Sequence, residues 1–201
     1  MKRSMITVKS GDITLKVPAD VVANTFISAA LAHVGTGQPP AANSGEVPAL
    51  GEYWPGEGGH YAGIVRGENG APDYHLIVPA GPDAEFSAAW GGYNHKSQGA
   101  DSHSDGLANT LALLADSEAH PAAKRAREYT ADGHGDFYLP ARRELQLAEA
   151  NASDLFSKAF HWSSTQYSAY YAYNLDFEAG WQSRNDKRYE RLVRPVRRKF
   201  L

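Results

Sequence analysis

Apolar and polar residues alternate near the start of the chain, and the spacing of the apolar residues then changes to that of a helix. The alternation covers Ile6–Lys9 and Ile13–Val17, on either side of Ser10-Gly11-Asp12, and predicts a β-hairpin. From Asp20 to His33 apolar residues recur at helical spacing, and Gly35 follows as a stop signal. Residues 1–34 are therefore expected to form a small hairpin-helix segment.

Residues 35–58 differ in composition from both neighbours, being rich in Pro, Gly, Ala and Asn with few large apolar side chains. This composition is typical of linkers, where domain boundaries commonly fall. A second hairpin pattern follows, with His60–Arg66 and Tyr74–Val78 flanking an Asn69-Gly70 turn. We therefore expect a linker over 35–58 and a separate domain over 59–201.

The pattern of residues 59–201 mixes loops, helices and strands. Ser87–Asp105 is rich in Gly, His and Ser and predicts a long loop. The predicted helices are Gly106–Ala115, Ala122–Tyr129 and Ala141–Asn151, and the predicted strands are Phe137–Leu139, Tyr171–Phe177, Trp181–Arg184 and Tyr189–Val196. The order of these elements predicts an α+β fold.

Composition excludes several kinds of chemistry. The 201 residues include no Cys, so disulfides, thiolate zinc sites, iron–sulfur clusters and cysteine nucleophiles are excluded. No apolar run approaches the roughly 20 residues that a bilayer requires. Met1–Lys16 mixes charged and β-branched residues without the apolar core of a secretory signal. We expect synthesis in a reducing cytoplasm and no membrane insertion.

Positive charge is concentrated near the end of the chain, although the formal net charge is −3. Between Arg184 and Lys199 eight basic residues stand against two acidic ones. Such a run can bind nucleic acid or another anion. Because Leu192, Val193 and Val196 interrupt it, a final strand with structural, solvated arginines is the favoured interpretation. We expect no nucleic-acid partner.

Aromatic residues are concentrated just before this basic run. Eight of the 22 aromatic residues lie between Phe160 and Trp181, and several of them are tyrosines. Tyr and Trp supply rigid amphipathic contact area, while Ser and Asn supply adaptable hydrogen bonds. The segment from Ser163 to Tyr189 therefore has the composition of a recognition surface.

Three ordered motifs carry a resemblance to a known family. They are Gly135–Leu145 (GDFYLPARREL), Trp162-Ser163-Ser164-Thr165 and Val193–Arg198 (VRPVRR), and Asp105–Thr110 and Tyr61–Val65 also match upstream. From about Tyr61 to Phe200 the chain resembles the bacterial and phage domain family of the Legionella collagen-like protein's C-terminal domain. That family has the C-type lectin and formylglycine-generating-enzyme fold.

The resemblance implies a small twisted antiparallel sheet, two main helices and long irregular loops. It also implies a binding role, since similar proteins include phage tail receptor-binding proteins and the variable proteins of diversity-generating retroelements. One departure is Ala141, where Thr or Ser is usual in the family. Without a side-chain cap, the helix that follows Ala141 is expected to fray at its start.

Period-two geometry divides the aromatic segment into expected core and expected surface. Tyr171, Tyr173, Leu175 and Phe177 would share a core face, and Trp162 and Val193 are also expected in the core. The ligand-facing candidates are Gln166, Tyr167, Ser168, Tyr170, Trp181, Ser183, Arg184, Asn185, Asp186 and Tyr189.

No motif favours catalysis. The formylglycine-generating relatives use cysteines for copper and oxygen chemistry, which this chain lacks. His95, Asp101, His103 and Asp105 match no standard zinc spacing, and Asp132, His134 and Asp136 lack the ligand pattern of an EF-hand. We found neither a nucleophile elbow nor a phosphate-binding loop. A non-enzymatic protein without metal or cofactor is expected.

Two functions remain open. The first is a receptor-binding protein of a phage tail or prophage, which recognises a host cell-surface protein or glycan. Its N-terminal segment would bind other virion proteins or form a homo-oligomer, with a trimer favoured. This protein would be synthesised in the cytoplasm and would then either become part of the virion or remain cytoplasmic. The alternative is a structural virion or cell-surface assembly protein that carries the lectin-like domain as decoration.

Overall fold

The computed structural model describes residues 5–10, 13–18, 46–68 and 70–201. The chain divides into two compact units after Gly45. In the first unit, β1 (Met5–Ser10) and β2 (Ile13–Pro18) pair antiparallel, which confirms the predicted hairpin. The helix predicted over Asp20–His33 lies outside the described residues.

The second unit, Glu46–Leu201, has an α+β fold, as predicted. Its helices are α1 (Gly106–Ala115), α2 (Pro121–Glu128) and α3 (Arg142–Ala152). Its strands are β3 (Tyr53–Trp54), β4 (Gly59–Val65), β5 (Tyr74–Val78), β6 (Phe86–Ala89), β7 (Phe160–Gln166), β8 (Tyr171–Asp176), β9 (Gln182–Asp186), β10 (Glu190–Val193) and β11 (Arg197–Phe200).

These strands form two sheets, of order β11-β5-β4-β3 and β6-β10-β7-β8-β9. All neighbours pair antiparallel except β7 and β10, which run parallel. Helix α3 packs against strands of both sheets, chiefly β4 and β8. The last strand, β11, lies at the edge of the first sheet and pairs with β5 from the first hairpin of this unit.

Residues 46–58, which the sequence assigned to a linker, pack within the second unit. The Gly51 N–H donates to the Tyr61 carbonyl oxygen at 2.8 Å, and β3 pairs with β4. Trp54 is buried against the rings of Tyr61 and His75. The Pro/Gly-rich composition of this stretch therefore reflects tight turns around one buried indole, and the unit begins earlier than residue 59.

The structure confirms the β4–β5 hairpin and all three helices, with ends shifted by one residue at most for α2 and α3. Strands β6, β7 and β11 were not predicted. In β7 every residue after Phe160 is buried, so the sequence shows no alternation. Strand β6 interrupts the loop predicted from Ser87, and Phe137–Leu139 contributes only a bridge between Tyr138 and Val196.

Trp162, Phe177 and Val193 are buried as predicted. The face predicted for β8 is wrong at its start, because Tyr171 is exposed and Tyr173 is only half-buried. Ala172 is buried instead, in the cluster around Trp162. Leu175, further along, packs in the other cluster, beside α3. Because β8 is covered on different faces at its two ends, one period-two rule cannot describe it.

A single buried carboxylate, Glu144, joins both helix starts to the sheets. Its Oε2 accepts from the Gly106 N–H at 3.1 Å and from the Ala141 N–H at 2.7 Å. Its Oε1 accepts from the hydroxyls of Tyr74 (2.5 Å) and Tyr138 (2.6 Å). A Cβ on Gly106 would lie 2.3 Å from this carboxylate, so only glycine fits there.

Charge on Glu144 is costly at this depth and is offset by its partners. Burial raises the pKa of Glu144, while the hydrogen bonds from Tyr138, Tyr74 and Ala141 oppose that rise. Arg198 Nη2 lies 3.7 Å from Oε1 and donates to Asp105, the N-cap of α1, at 2.8 Å. The carboxylate and the guanidinium therefore stabilise one another inside the fold.

The start of α3 has no side-chain cap, as expected from Ala141, and three other groups take the place of that cap. The Ala141 N–H bonds to Glu144, the Arg142 N–H donates to Thr165 Oγ1 at 3.1 Å, and the Arg143 N–H donates to the His103 carbonyl at 3.0 Å. Three of the four N–H groups that lack an intrahelical acceptor at this helix start are thereby satisfied.

Within this basic run Arg194 and Arg197 are structural, as favoured above, but they are buried rather than solvated, whereas Arg184 and Arg188 are exposed. Arg194 pairs with Glu85 at 3.1 Å, and Arg197 pairs with Glu57 at 2.8 Å and with Asp136 at 2.7 Å. These contacts fasten the end of the chain to earlier segments. In the described part of the chain, no helix has the length and apolar character needed to cross a bilayer.

Replacing Glu144 by Gln should lower the free energy of unfolding by about 2–4 kcal/mol, because the amide keeps only one of the two acceptor oxygens and loses the negative charge that faces Arg198. Urea denaturation measures this loss. Glu149→Gln, on the partly exposed side of the same helix, is the matched control and should change stability by less than about 0.5 kcal/mol. Equal stability of both variants would contradict the bridging role of Glu144.

Glu85 should make the fold sensitive to acid. Burial raises its pKa, but hydrogen bonds from His161 and Ser157 outweigh burial and hold the pKa at about 2, below the ordinary 4.5. Above pH 4.5 the ionised Glu85 carboxylate adds about 3 kcal/mol to the free energy of unfolding. This contribution is lost as the pH falls toward 2. Urea denaturation across this range should show a flatter profile for Glu85→Gln. A profile parallel to that of the parent would contradict the prediction.

Candidate functional site

One end of the β8–β9 hairpin carries an exposed surface of tyrosine and arginine side chains. We call it the tyrosine–arginine surface, and it consists of Tyr93, Tyr167, Tyr170, Tyr171, Arg184 and Arg188. Each of its four tyrosines exposes 40–47% of its area. Large rings exposed together in this way are typical of recognition surfaces.

Guanidinium groups lie over the tyrosine rings of this surface. Arg184 lies 4.5 Å from the ring centre of Tyr167, and Arg188 lies 3.9 Å from that of Tyr93. The Tyr93 ring in turn meets Tyr170 edge to face, with ring centres 5.4 Å apart. Such stacking fixes the long side chains before any ligand binds, which lowers the entropic cost of recognition.

A fully buried lysine, Lys187, supports this surface from beneath. Its Nζ donates to Gln166 Oε1 at 2.7 Å, to the His95 carbonyl at 2.8 Å and to the Gly92 carbonyl at 3.4 Å. The same ammonium lies 4.5 Å from the Trp90 ring centre. Three donors thus meet three acceptors, and the ring face supplies a further attraction.

Lys187 also joins three segments through its backbone. Its N–H donates to the Tyr170 carbonyl at 3.0 Å, and its carbonyl accepts from the Gly91 N–H at 3.1 Å. Gly92 adopts a positive φ of 56°, and a Cβ there would lie 2.5 Å from the His120 ring. The loop of Tyr93, the loop of Tyr170 and the turn of Arg188 are therefore held in one arrangement.

Burial lowers the pKa of Lys187 from 10.5 to about 8, and nearby Asp116 opposes the shift. Burial similarly raises the pKa of Asp116, but hydrogen bonds from Ser97 and Glu118 and the charges of His95 and His120 outweigh it and hold that pKa below its ordinary value. Lys187 is therefore charged at neutral pH.

The structure divides the ten sequence-predicted site residues into exposed and supporting groups. Tyr167, Tyr170, Trp181, Arg184 and Tyr189 are exposed, and Ser183 is half-buried. Gln166 differs from the expectation, since it is buried and its amide bonds to Ser97 and Lys187. A side chain occupied in this way supports the surface and does not face a ligand.

The remaining candidates are half-buried and hold local geometry. Ser168 Oγ accepts from the N–H groups of Tyr170 and Tyr171 at 3.2 Å each. Asn185 Oδ1 accepts from Asn174 at 2.7 Å and from Arg191 at 2.9 Å. Asp186 accepts from the Arg188 guanidinium at 2.8 Å. These contacts shape the turns beneath the exposed rings.

Trp181 does not join the tyrosine cluster. It lies in the turn between β8 and β9, whereas Tyr170 and Arg188 lie at the opposite end of that hairpin. Strand β8 has six residues, so the two ends are on the order of 17 Å apart. The Trp181 indole N–H donates to Asp176 at 3.0 Å, which fixes the turn.

Sequence reasoning missed Tyr93, Arg142, Arg188 and the support from Lys187. Tyr93 comes from a loop about 75 residues upstream of the aromatic segment, and only tertiary structure brings it to Tyr170. In the sequence Lys187 is one of the eight basic residues near the end of the chain. It lies in a turn close to many aromatic residues, and nothing in that position shows that its side chain is buried.

The groups weighed for metal binding have other roles. Asp105 caps α1 through the Ala108 N–H at 2.9 Å, Asp136 pairs with Arg197, and Asp132 accepts from the Gly58 N–H at 3.3 Å. His95 and His120 both face Asp116, at 3.0 and 3.5 Å. Among the described residues no group of three or more His, Asp or Glu side chains is placed to hold a metal ion.

Comparison with known proteins does not identify the chain. No protein-family model matches it, and no curated protein matches its sequence. The likeness to the Legionella collagen-like family therefore remains a resemblance of short motifs.

The charge on Lys187 should appear in the pH dependence of stability. Between pH 8 and 10.5 the unfolded chain keeps this proton and the folded chain does not, so stability rises with pH. The unfolding free energy of the parent relative to Lys187→Met should increase by about 3 kcal/mol across this range. Urea denaturation at several pH values measures it.

Lys96→Met, at an exposed position in the same loop, is the matched control for this profile. Its unfolding free energy should follow that of the parent at every pH. A constant difference between the parent and Lys187→Met would contradict the shifted pKa.

Proposed function

We propose that this protein is a non-enzymatic receptor-binding protein that recognises a host cell-surface protein or glycan through its tyrosine–arginine surface. The observation that carries the proposal is the exposure of four tyrosines and two arginines together on a buried support. Tyr and Arg are enriched among residues that dominate binding energy. Their exposure has no explanation in the packing of this unit.

We further propose that the second unit has the C-type-lectin-like fold. Two small sheets, three helices among the described residues and a long irregular stretch before α1 are compatible with it. Glu144 and Trp162, two of the motif residues that carry the resemblance, are buried. The exposed surface comes mainly from the segment 163–189, in which buried Gln166 and Lys187 support the exposed rings.

The phage-tail setting is part of the same proposal and rests on the motif resemblance. The division of the chain after Gly45 supports a separate task for the N-terminal segment, which would bind other virion proteins or form a trimer. In this arrangement the protein would act on the virion, with several copies of the binding surface presented together. Multiple copies would raise avidity without any new contact.

Binding of the fluorescently labelled full chain to a panel of bacterial strains tests the proposal. Tyr167→Ala and Tyr170→Ala should each reduce binding at least tenfold while changing the free energy of unfolding by no more than about 1 kcal/mol. Phe200→Ala removes an equally exposed ring from the other sheet and serves as the control. It should bind as the parent does.

Two results would contradict this function. One is unchanged cell binding by both tyrosine variants, and the other is binding by no strain of a panel that includes the natural host range of the source. Loss of stability in the tyrosine variants comparable to that of Trp162→Ala would show that the rings serve packing.

A further inference from the structure

A groove of about 440 Å³ lies beside the tyrosine–arginine surface, at the start of α3. It is lined by Arg142, Tyr173, Gln182, Ser183 and Arg184, which we call the arginine groove. Its volume lies within the roughly 300–1,000 Å³ typical of small-ligand sites. It shares Arg184 with that surface, and the proposed function names no ligand for it.

Two neighbouring tyrosine rings at this groove each carry a guanidinium group. Arg142 lies 4.2 Å from the ring centre of Tyr173, the Tyr173 ring lies 5.4 Å from that of Tyr167, and Tyr167 carries Arg184. Tyr173 and Arg184 are also direct partners across β8 and β9. The two positive charges therefore flank a pair of tyrosine rings.

Arg142 is held in place before any ligand arrives. Its guanidinium donates to Gln182 Oε1, and Gln182 Nε2 donates back to the Arg142 carbonyl at 3.1 Å. The Arg142 N–H is fixed by Thr165, and α3 is fixed by Glu144. The groove is thus built on rigid elements, which favours specific recognition over loose charge attraction.

Neither groove arginine has a carboxylate partner within 4.0 Å among the residues that the structure describes. The arginines nearby do have carboxylate partners: Arg143 pairs with Glu68 at 2.6 Å, and Arg188 pairs with Asp186 at 2.8 Å. A planar guanidinium binds a carboxylate through two parallel hydrogen bonds. Two such groups without an internal partner leave this capacity for a ligand.

Building on the proposed function, we infer that the arginine groove binds a carboxylate-bearing sugar. One guanidinium fork would bind the carboxylate, and Ser183 offers a hydrogen bond to a ring hydroxyl. The negative faces of tyrosine rings attract the weakly positive C–H groups of a sugar. Gln182 to Arg184 spans only about 7 Å of strand, which suits one sugar ring better than an extended peptide.

His103 gives this inference a spectroscopic signature. Its ring meets Tyr173 edge to face, with centres 5.9 Å apart. Burial, Arg142 and Arg143 lower the pKa of His103, while Asp101 and Glu68 oppose the shift. A bound carboxylate adds negative charge to this positive field and should raise that pKa.

NMR titration of the full chain with glucuronate and with N-acetylneuraminate tests the inference. Each sugar acid should give saturable shifts of the His103 ring signals and raise the His103 pKa. N-acetylglucosamine, inorganic sulfate and triglutamate should give neither effect. Arg184→Lys keeps the charge but loses the planar fork, so it should weaken binding at least tenfold, whereas Arg66→Lys, outside the groove, should leave it unchanged.

Each other outcome overturns the inference. Equal binding of sulfate would show a general anion site, and preferential binding of triglutamate would show a peptide site. No response to either sugar acid would also overturn it. In that case, loss of cell binding by the tyrosine variants would leave the receptor-binding function standing, so the two failures are distinguishable.

Discussion

The architecture of the second unit depends on one buried carboxylate. Glu144 accepts the first N–H groups of two helices and two tyrosine hydroxyls, so α1, α3, β5 and the Tyr138 bridge meet at one residue. An unpaired carboxylate at this depth would be strongly unfavourable. The fold therefore requires all of these partners together, and Gly106 is the residue that lets the helix start come close enough.

The same constraint positions residues of the proposed binding site. Because Glu144 fixes the start of α3, it also fixes Arg142, whose guanidinium forms one wall of the arginine groove. At the other end of the hairpin, Lys187 performs an equivalent task with the opposite charge, binding carbonyls of the Tyr93 loop and the amide of Gln166. Two buried charges thus support an exposed surface, and neither of them contacts solvent.

Local patterns in the sequence predicted what local physics decides. The two hairpins and the burial of Trp162 and Val193 follow from the spacing of apolar residues, and the structure confirms them. Strand β7 was missed because both of its faces are covered, and the linker prediction was wrong over 46–58 because Trp54 is buried against residues of the hairpin that follows. Composition pointed to the segment 163–189, which holds most of the exposed tyrosines, but only tertiary contacts showed that Gln166 is buried on Lys187 and that Tyr93 meets Tyr170.

Amide hydrogen exchange measures the central constraint most directly. If Glu144 holds both helix starts, the Gly106 and Ala141 amides should exchange only through global unfolding, as slowly as the central amides of β5. In Glu144→Gln both should exchange much faster than the β5 amides of the same sample, whose exchange rises only with the loss of global stability. Exchange of Gly106 and Ala141 in the parent at the rate of exposed loop amides would contradict the account.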